Sequence, residues 1–191
     1  GAGGGRNVLD LCAAPGGKTL QLAAQGWQVT ALDISKRRLD LLKANLKRTG
    51  LKANTVRADA LTWEPRHQFD AILLDAPCSA TGTARRHPDV LHRIGARQIG
   101  EMADLQSALL DRAQGWLKPG GTLVYATCSL EREEGEAQAT GVPLPVAPIT
   151  PEELPAGLAP TGEGWLRTDP GMLAEHGGLD GFFVARWRTK G

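Results

Sequence analysis

The sequence predicts an α/β protein built on a mostly parallel sheet with helices on both faces. Three observations predict it. Apolar strand-like runs alternate with helical patterns through the first two-thirds of the chain. A glycine-rich turn, DLCAAPGGKT at Asp10–Thr19, follows the first of these runs. Acidic residues close the strand-like runs that come after it, at Asp33, Asp59 and Asp75.

Asn7–Leu11 reads as the first strand, and a helix follows the glycine turn from about Lys18 to Gln25. Gln28–Asp33 is the second strand. Ser35 then caps a long helix whose Leu39, Leu42 and Leu46 recur at helical spacing, with Gly50 where a C-terminal cap belongs. Thr55–Ala58 is a short third strand and Phe69–Leu74 the fourth. A loop rich in Gly, Thr and Arg is expected from Ala76 to about Gly100. Glu101–Leu117 reads as a helix ended by KPGG at Lys118–Gly121, and Thr122–Ala126 as the fifth strand. Six prolines fall between Thr140 and Pro160, so residues 140–164 are expected to be irregular and loosely held rather than a second domain. Order is expected to return at Leu166–Thr168 and Gly181–Trp187 as a terminal strand pair, one member antiparallel.

The chain has 191 residues, 41% hydrophobic and 23% charged, which fits one soluble domain able to bury a sizeable core. No apolar stretch approaches the roughly 18 residues that cross a membrane, and no basic-then-apolar leader is present. Three cysteines, none in a CxxC pair, suit a reducing, cytoplasmic setting better than a disulfide framework. The net charge of +1 hides an asymmetry: residues 1–100 balance at +7 (15 Lys+Arg, 8 Asp+Glu) and residues 101–191 at −6 (7 and 13). A basic half suits a polyanion, although folding can mix the two fields.

Two segments, DAPCS at Asp75–Ser79 and ATCS at Ala126–Ser129, each follow a run that reads as a buried strand. Residues just past the carboxyl ends of strands line the ligand crevice of an open α/β sheet. Cys78 and Cys128 are therefore expected to face one pocket, with Asp75 three residues before Cys78. Thiols are the strongest side-chain nucleophiles, so this grouping suggests covalent chemistry. Small buried core cysteines are the plainer alternative, and the placement at two strand ends argues against it.

Three nucleotide sites compete for the glycine turn. A dinucleotide fold needs GxGxxG, but Gly16 and Gly17 are adjacent with no third glycine in register. A phosphate loop needs GxxxxGK[ST]; Gly17, Lys18 and Thr19 match its end, but its first glycine falls at Cys12. The third option is an S-adenosyl-L-methionine site, where no phosphate needs cradling. Asp33, about 20 residues after the turn, suits ribose hydroxyls, and Asp59 suits an adenine amino group. These acidic residues favour the third option.

DLCAAPGGKT, LLDAPCSATG with the following RRHPD, LVYATCS and DGFFVA, in this order, resemble the RNA cytosine-C5 methyltransferase family, in particular its bacterial Sun/Fmu type acting on small-subunit ribosomal RNA. The resemblance runs from about Val8 to Glu136 and resumes at Asp180–Ala185. It implies a class I S-adenosyl-L-methionine-dependent methyltransferase with a seven-stranded Rossmann-like sheet. It implies that Cys128 attacks the base, that Cys78 assists product release, and that Lys18 and Asp75 hold the target cytosine. It implies cofactor contacts along Cys12, Ala13, Ala14, Pro15, Gly16, Gly17 and Lys18, at Asp33 and Arg38, at Asp59 and Ala60, and at Asp75 and Pro77. Cys12 itself is read as a small packing residue with no chemistry. Arg85 and Arg86, after Cys78, are placed to bind phosphates beside a flipped base. The expected partner is RNA, small-subunit ribosomal RNA first and transfer RNA as the alternative; no membrane and no metal are expected, and a monomer is. Family members carry a helical RNA-binding domain before the first strand, so the chain reads as a catalytic fragment. A non-catalytic RNA- or cofactor-binding module is the reading outside enzymology.

Overall fold

The computed structural model describes residues 2–191. Seven strands form a sheet in the order β3-β2-β1-β4-β5-β7-β6. They are β1 Asn7–Leu11, β2 Gln28–Asp33, β3 Asn54–Arg57, β4 Phe69–Asp75, β5 Leu117–Thr127, β6 Leu166–Thr168 and β7 Phe182–Arg188. β1 pairs in parallel with β2 and β4, and β2 with β3. β6 and β7 are antiparallel, in the register Leu166 to Val184. The helices are α1 Gly17–Ala24, α2 Lys36–Thr49, α3 Val90–Arg93, α4 Ala96–Gly115 and α5 Glu136–Gly141. This is the mostly parallel α/β sheet with an antiparallel C-terminal strand that the sequence predicts. No helix among the described residues is long and apolar enough to cross a membrane.

Internal packing divides the described residues into two compact units. The first comprises residues up to Asp75, Arg112–Leu123 and Thr189–Gly191. The central strand β1 is buried from Val8 to Leu11 because a parallel sheet is covered on both faces, whereas the edge strand β3 has no buried residue. Ser35 caps α2 by accepting from the Arg38 N–H at 3.3 Å, and Gly50 ends it in the left-handed conformation at φ 70°. Leu39, Leu42 and Leu46 bury one stripe of α2 against Ala13, Ala14 and Ala31. Each buried leucine contributes about 1.5–3 kcal/mol.

Two boundaries differ from expectation by five residues. KPGG is not a turn before β5 but its opening, because the Gly120 N–H donates to the Lys190 carbonyl and the Thr189 N–H to the Gly121 carbonyl. Gly120 accommodates the resulting kink at φ 71°. The pairing segment lies at the far end of the chain, where local pattern gives no sign of it. Helix α4 begins five residues before the expected Glu101 and runs through Gly100. The Gln98 side chain accepts from the Gly95 N–H at its start.

The second unit comprises Ala76–Asp111 and Val124–Arg188. The loop expected from Ala76 to Gly100 carries a 3-10 turn at Thr81–Thr83 and the short α3. Tyr125, Phe183, Ala185 and Trp187 are fully buried, and Trp165 meets Phe183 edge-on at 5.6 Å. The proline-rich segment is irregular, as expected, but pinned. Val146 bridges to Trp187, and the Ala147 N–H donates to the Arg186 carbonyl at 2.8 Å. The Arg186 guanidinium grips Glu153 at 2.7 Å and holds its carboxyl down at about 2. Composition revealed the prolines but not the arginine that anchors them.

Candidate active site

In the first unit the glycine turn wraps the carboxyl end of β1. Cys12 takes φ 59°, the Ala14–Pro15 peptide is cis, and Gly16 at φ 105° caps α1. A Cβ at Gly16 would stand 2.8 Å from the Leu42 side chain, so the turn must carry glycine there to pack on α2. The backbone is thereby brought close to a cavity of about 440 Å³. Ala13, Ala14, Pro15, Gly17, Lys18, Arg38 and Asp75 line it, all expected from the sequence. Asp10 and Gln21 line it too, and the sequence reading missed both.

Lys18 Nζ lies 2.6 Å from Asp75 Oδ2, with both side chains partly exposed. The cavity wall therefore offers a cation and a carboxylate side by side. Asp10 is fully buried and accepts from Thr19 Oγ1 at 2.5 Å, while its Oδ1 has no hydrogen-bond partner. Burial pushes its carboxyl up to about 7, against the Thr19 hydrogen bond. Thr19, which a phosphate loop would present to a metal, is itself buried and spent on Asp10. That removes the structural basis of the phosphate-loop reading. Among the described residues no cluster of His, Cys, Asp and Glu could hold a metal ion.

Asp33 is almost fully buried, accepting from the Ala14 N–H at 3.1 Å and the Ser35 N–H at 2.8 Å. Arg38 stands 3.6 Å from it and also donates to the Ala14 carbonyl. Asp33 does not line the cavity, and its contacts tie the turn to α2. Asp59 is exposed and accepts from the Leu61 N–H at 2.9 Å, and Ala60 beside it is buried. Burial pushes the Cys12 thiol up to about 12.

In the second unit Cys78 Sγ and Cys128 Sγ lie 3.4 Å apart. The two thiols expected past the two strand ends therefore stand side by side. The hydrogen bond to Cys128, followed by burial, pushes the Cys78 thiol up. Either sulfur can be the donor in this contact. The Pro77 carbonyl accepts from Gln106 Nε2 at 2.8 Å, and the Cys128 carbonyl from the Gly82 N–H at 3.0 Å. Arg86 is exposed, with Nε 2.8 Å from Asp180, and Arg85 donates to the Gly177 carbonyl. Neither arginine stands alone, then: both brace the 177–180 loop.

A family model described as 16S rRNA methyltransferase RsmB/F matches residues 3–188. The ribosomal RNA small subunit methyltransferase B of Klebsiella pneumoniae subsp. pneumoniae is 47% identical over 188 residues, covering 95% of this chain and 42% of that protein. The enzyme of the same name from Salmonella arizonae is 46% identical over 191 residues, with the same coverage of each. The chain thus spans about two-fifths of the length of these curated relatives. Among solved structures, NSun6 from Pyrococcus horikoshii with SFG superposes with a TM-score of 0.84 at 31% identity, over 96% of this chain and 48% of that one. The N-methyltransferase NodS from Bradyrhizobium japonicum WM9 shares the fold, with a TM-score of 0.60 at 18% identity over 97% of this chain and 86% of that one.

Proposed function

The chain belongs to the RsmB/F family of 16S rRNA methyltransferases, and from that membership we propose that it is a catalytic domain methylating C5 of a cytosine in small-subunit ribosomal RNA through a covalent cysteine adduct. The observation that carries this reading is the 3.4 Å thiol pair at the ends of β4 and β5. S-adenosyl-L-methionine fits the cavity at the glycine turn, where Asp10 Oδ1 is a buried acceptor without a partner and Gly17 leaves the backbone open. Asp33, Arg38, Asp59 and the turn residues would hold it, and when bound it supplies a methyl group on a sulfonium.

C5 of cytosine is too weak a nucleophile to be methylated directly. Cys128 Sγ adds to C6, which makes C5 an enamine carbon. Cys78, 3.4 Å from Cys128, serves after methylation, when the C5 proton must leave and Cys128 must be eliminated. Asp75 accepts from the N4 amino group and holds a proton at N3, which stabilises the adduct. Lys18, already paired with Asp75, offsets its charge and donates to the ring carbonyl. A base in a duplex is out of reach, so the target is single-stranded or flipped.

The test is methyl transfer from labelled S-adenosyl-L-methionine to small-subunit ribosomal RNA and, separately, to transfer RNA, with the product nucleoside identified by mass spectrometry. The reading expects 5-methylcytosine in the ribosomal RNA. Product in transfer RNA alone would replace the substrate, and methylation at any other base atom would sink the mechanism.

A further inference from the structure

Each of the two cysteines is followed by a serine, and both serines turn to one carboxylate. Glu134 is fully buried. Its Oε1 accepts from the Ser79 N–H at 2.9 Å and from Gln106 Nε2 at 3.0 Å. Its Oε2 accepts from the hydroxyls of Ser79 and Ser129, whose oxygens stand 3.1 Å apart. The backbone carbonyl of Glu134 is held as well, by Tyr125 Oη at 2.7 Å and Thr127 Oγ1 at 3.2 Å, both from β5. A buried carboxylate is costly unless donors surround it. Four donors explain how this one is tolerated, and where they come from suggests what it does. Two arise from the residue behind Cys78 and one from the residue behind Cys128.

We propose that Glu134 is a positioning residue that sets the spacing of the Cys78 and Cys128 sulfurs by clamping the two serines behind them. The role in methyl transfer rests on the function proposed above; the clamp itself does not. Cys78 and Cys128 are 50 residues apart in sequence, and they lie three residues past β4 and one residue past β5. Ser79 is tied to Glu134 through both its N–H and its hydroxyl, so the peptide after Cys78 cannot turn independently. The peptide after Cys128 is fixed at the Ser129 hydroxyl by Glu134 and at the Ser129 carbonyl by Arg167. Neutral residues of the same size would fill the space, but they could not accept from both serines and Gln106 together. A misplacement of reacting groups by about 1 Å can lower a rate on the order of a hundredfold.

The experiment uses phenylarsine oxide, which bridges two neighbouring thiols: two As–S bonds form and the oxide leaves with both thiol protons as water. The wild-type chain is expected to capture one arsenical, and Cys78→Ala to lose it, which assigns capture to this pair. Glu134→Ala, folded by circular dichroism, is expected to weaken capture about tenfold or more, with Glu134→Gln between the two. If Glu134→Ala does not fold, Ser129→Ala removes one arm of the clamp and is expected to weaken capture severalfold. Methyl transfer by Glu134→Gln is expected to fall in kcat with KM for RNA unchanged. Capture unaltered in a folded Glu134→Ala or in Ser129→Ala overturns the proposal. Capture that depends on Glu134 in a wild-type chain that methylates no RNA supports the clamp and removes the enzymatic reading instead. Equal kcat in wild type and a folded Glu134→Ala removes the positioning role and leaves the enzyme.

Discussion

Gly82 and Gly181 meet backbone to backbone: a Cβ at Gly82 would stand 2.0 Å from the Gly181 carbonyl oxygen and 2.9 Å from that of Cys128. The Gly82 N–H donates to the Cys128 carbonyl while the Gly82 carbonyl accepts from the Gly181 N–H at 2.7 Å. The ATG that follows the PCS cysteine is thus part of the device that holds the other cysteine. Gly82→Ala is expected to destabilise the chain by about 3 kcal/mol or more, since backbone rather than a flexible side chain must yield. Chemical denaturation measures this; a midpoint equal to wild type would mean the contact relaxes without strain.

The division of labour between the thiols is testable by trapping. Cys128→Ala is expected to abolish both turnover and adduct. Cys78→Ala is expected to block release and accumulate a covalent RNA complex. Denaturing electrophoresis with labelled RNA shows which variant traps, and a complex in the Cys128 variant alone would exchange the two roles.

Asp10 gives a pH signature. Its carboxyl is raised from 3.8 to about 7 in the folded chain, so folding favours its neutral form. The stability it contributes is fully present below pH 4 and is lost as pH rises from 4 through 7, where the unfolded chain ionises first. Asp10→Asn keeps an acceptor for Thr19 and cannot ionise. It is expected to gain stability over wild type between pH 5 and pH 8, with a limit on the order of 2–4 kcal/mol. Parallel melting curves across that range would show no such divergence if Asp10 ionises normally.

Asp33 joins the turn to α2, so its loss acts twice. Asp33→Ala leaves the Ala14 and Ser35 N–H groups without their acceptor and is expected to cost about 1–3 kcal/mol of stability. Its affinity for S-adenosyl-L-methionine by calorimetry is expected to fall by a similar amount. Unchanged affinity with lowered stability would leave Asp33 a purely structural anchor.

Arg86 is exposed and bound to Asp180, which competes with any phosphate. Arg85→Ala with Arg86→Ala is expected to weaken RNA binding and to lower its salt dependence by roughly two counterions. Asp180→Asn is expected to act in the opposite direction by freeing Arg86. Binding titrations at several salt concentrations decide, and no change in either variant would make the pair a plain loop brace.

The alternation of strands and helices and the meeting of two thiols were legible because apolar runs and strand-end motifs are local signals. The glycine turn was legible for the same reason. Asp10 was passed over although it is the one acid inside the apolar VLDL strand, a signal that could have found it. Glu134 carried no such mark. Four glutamates crowd EREEGE, and only burial against Ser79, more than fifty residues back, tells one from the rest. The loop brace of Arg86 on Asp180 was hidden likewise, by a separation of 94 residues.

The closeness of Cys78 and Cys128 also makes them a latent cross-link. An oxidant joining the two sulfurs would close a loop of 50 residues and stiffen the unfolded chain by about 4 kcal/mol on the chain-entropy view. The product would be a tougher protein with neither thiol left to react. Such a chain keeps its chemistry only where reductant outpaces oxidant, and heat resistance gained in storage would be a warning of silenced sulfur rather than a sign of quality.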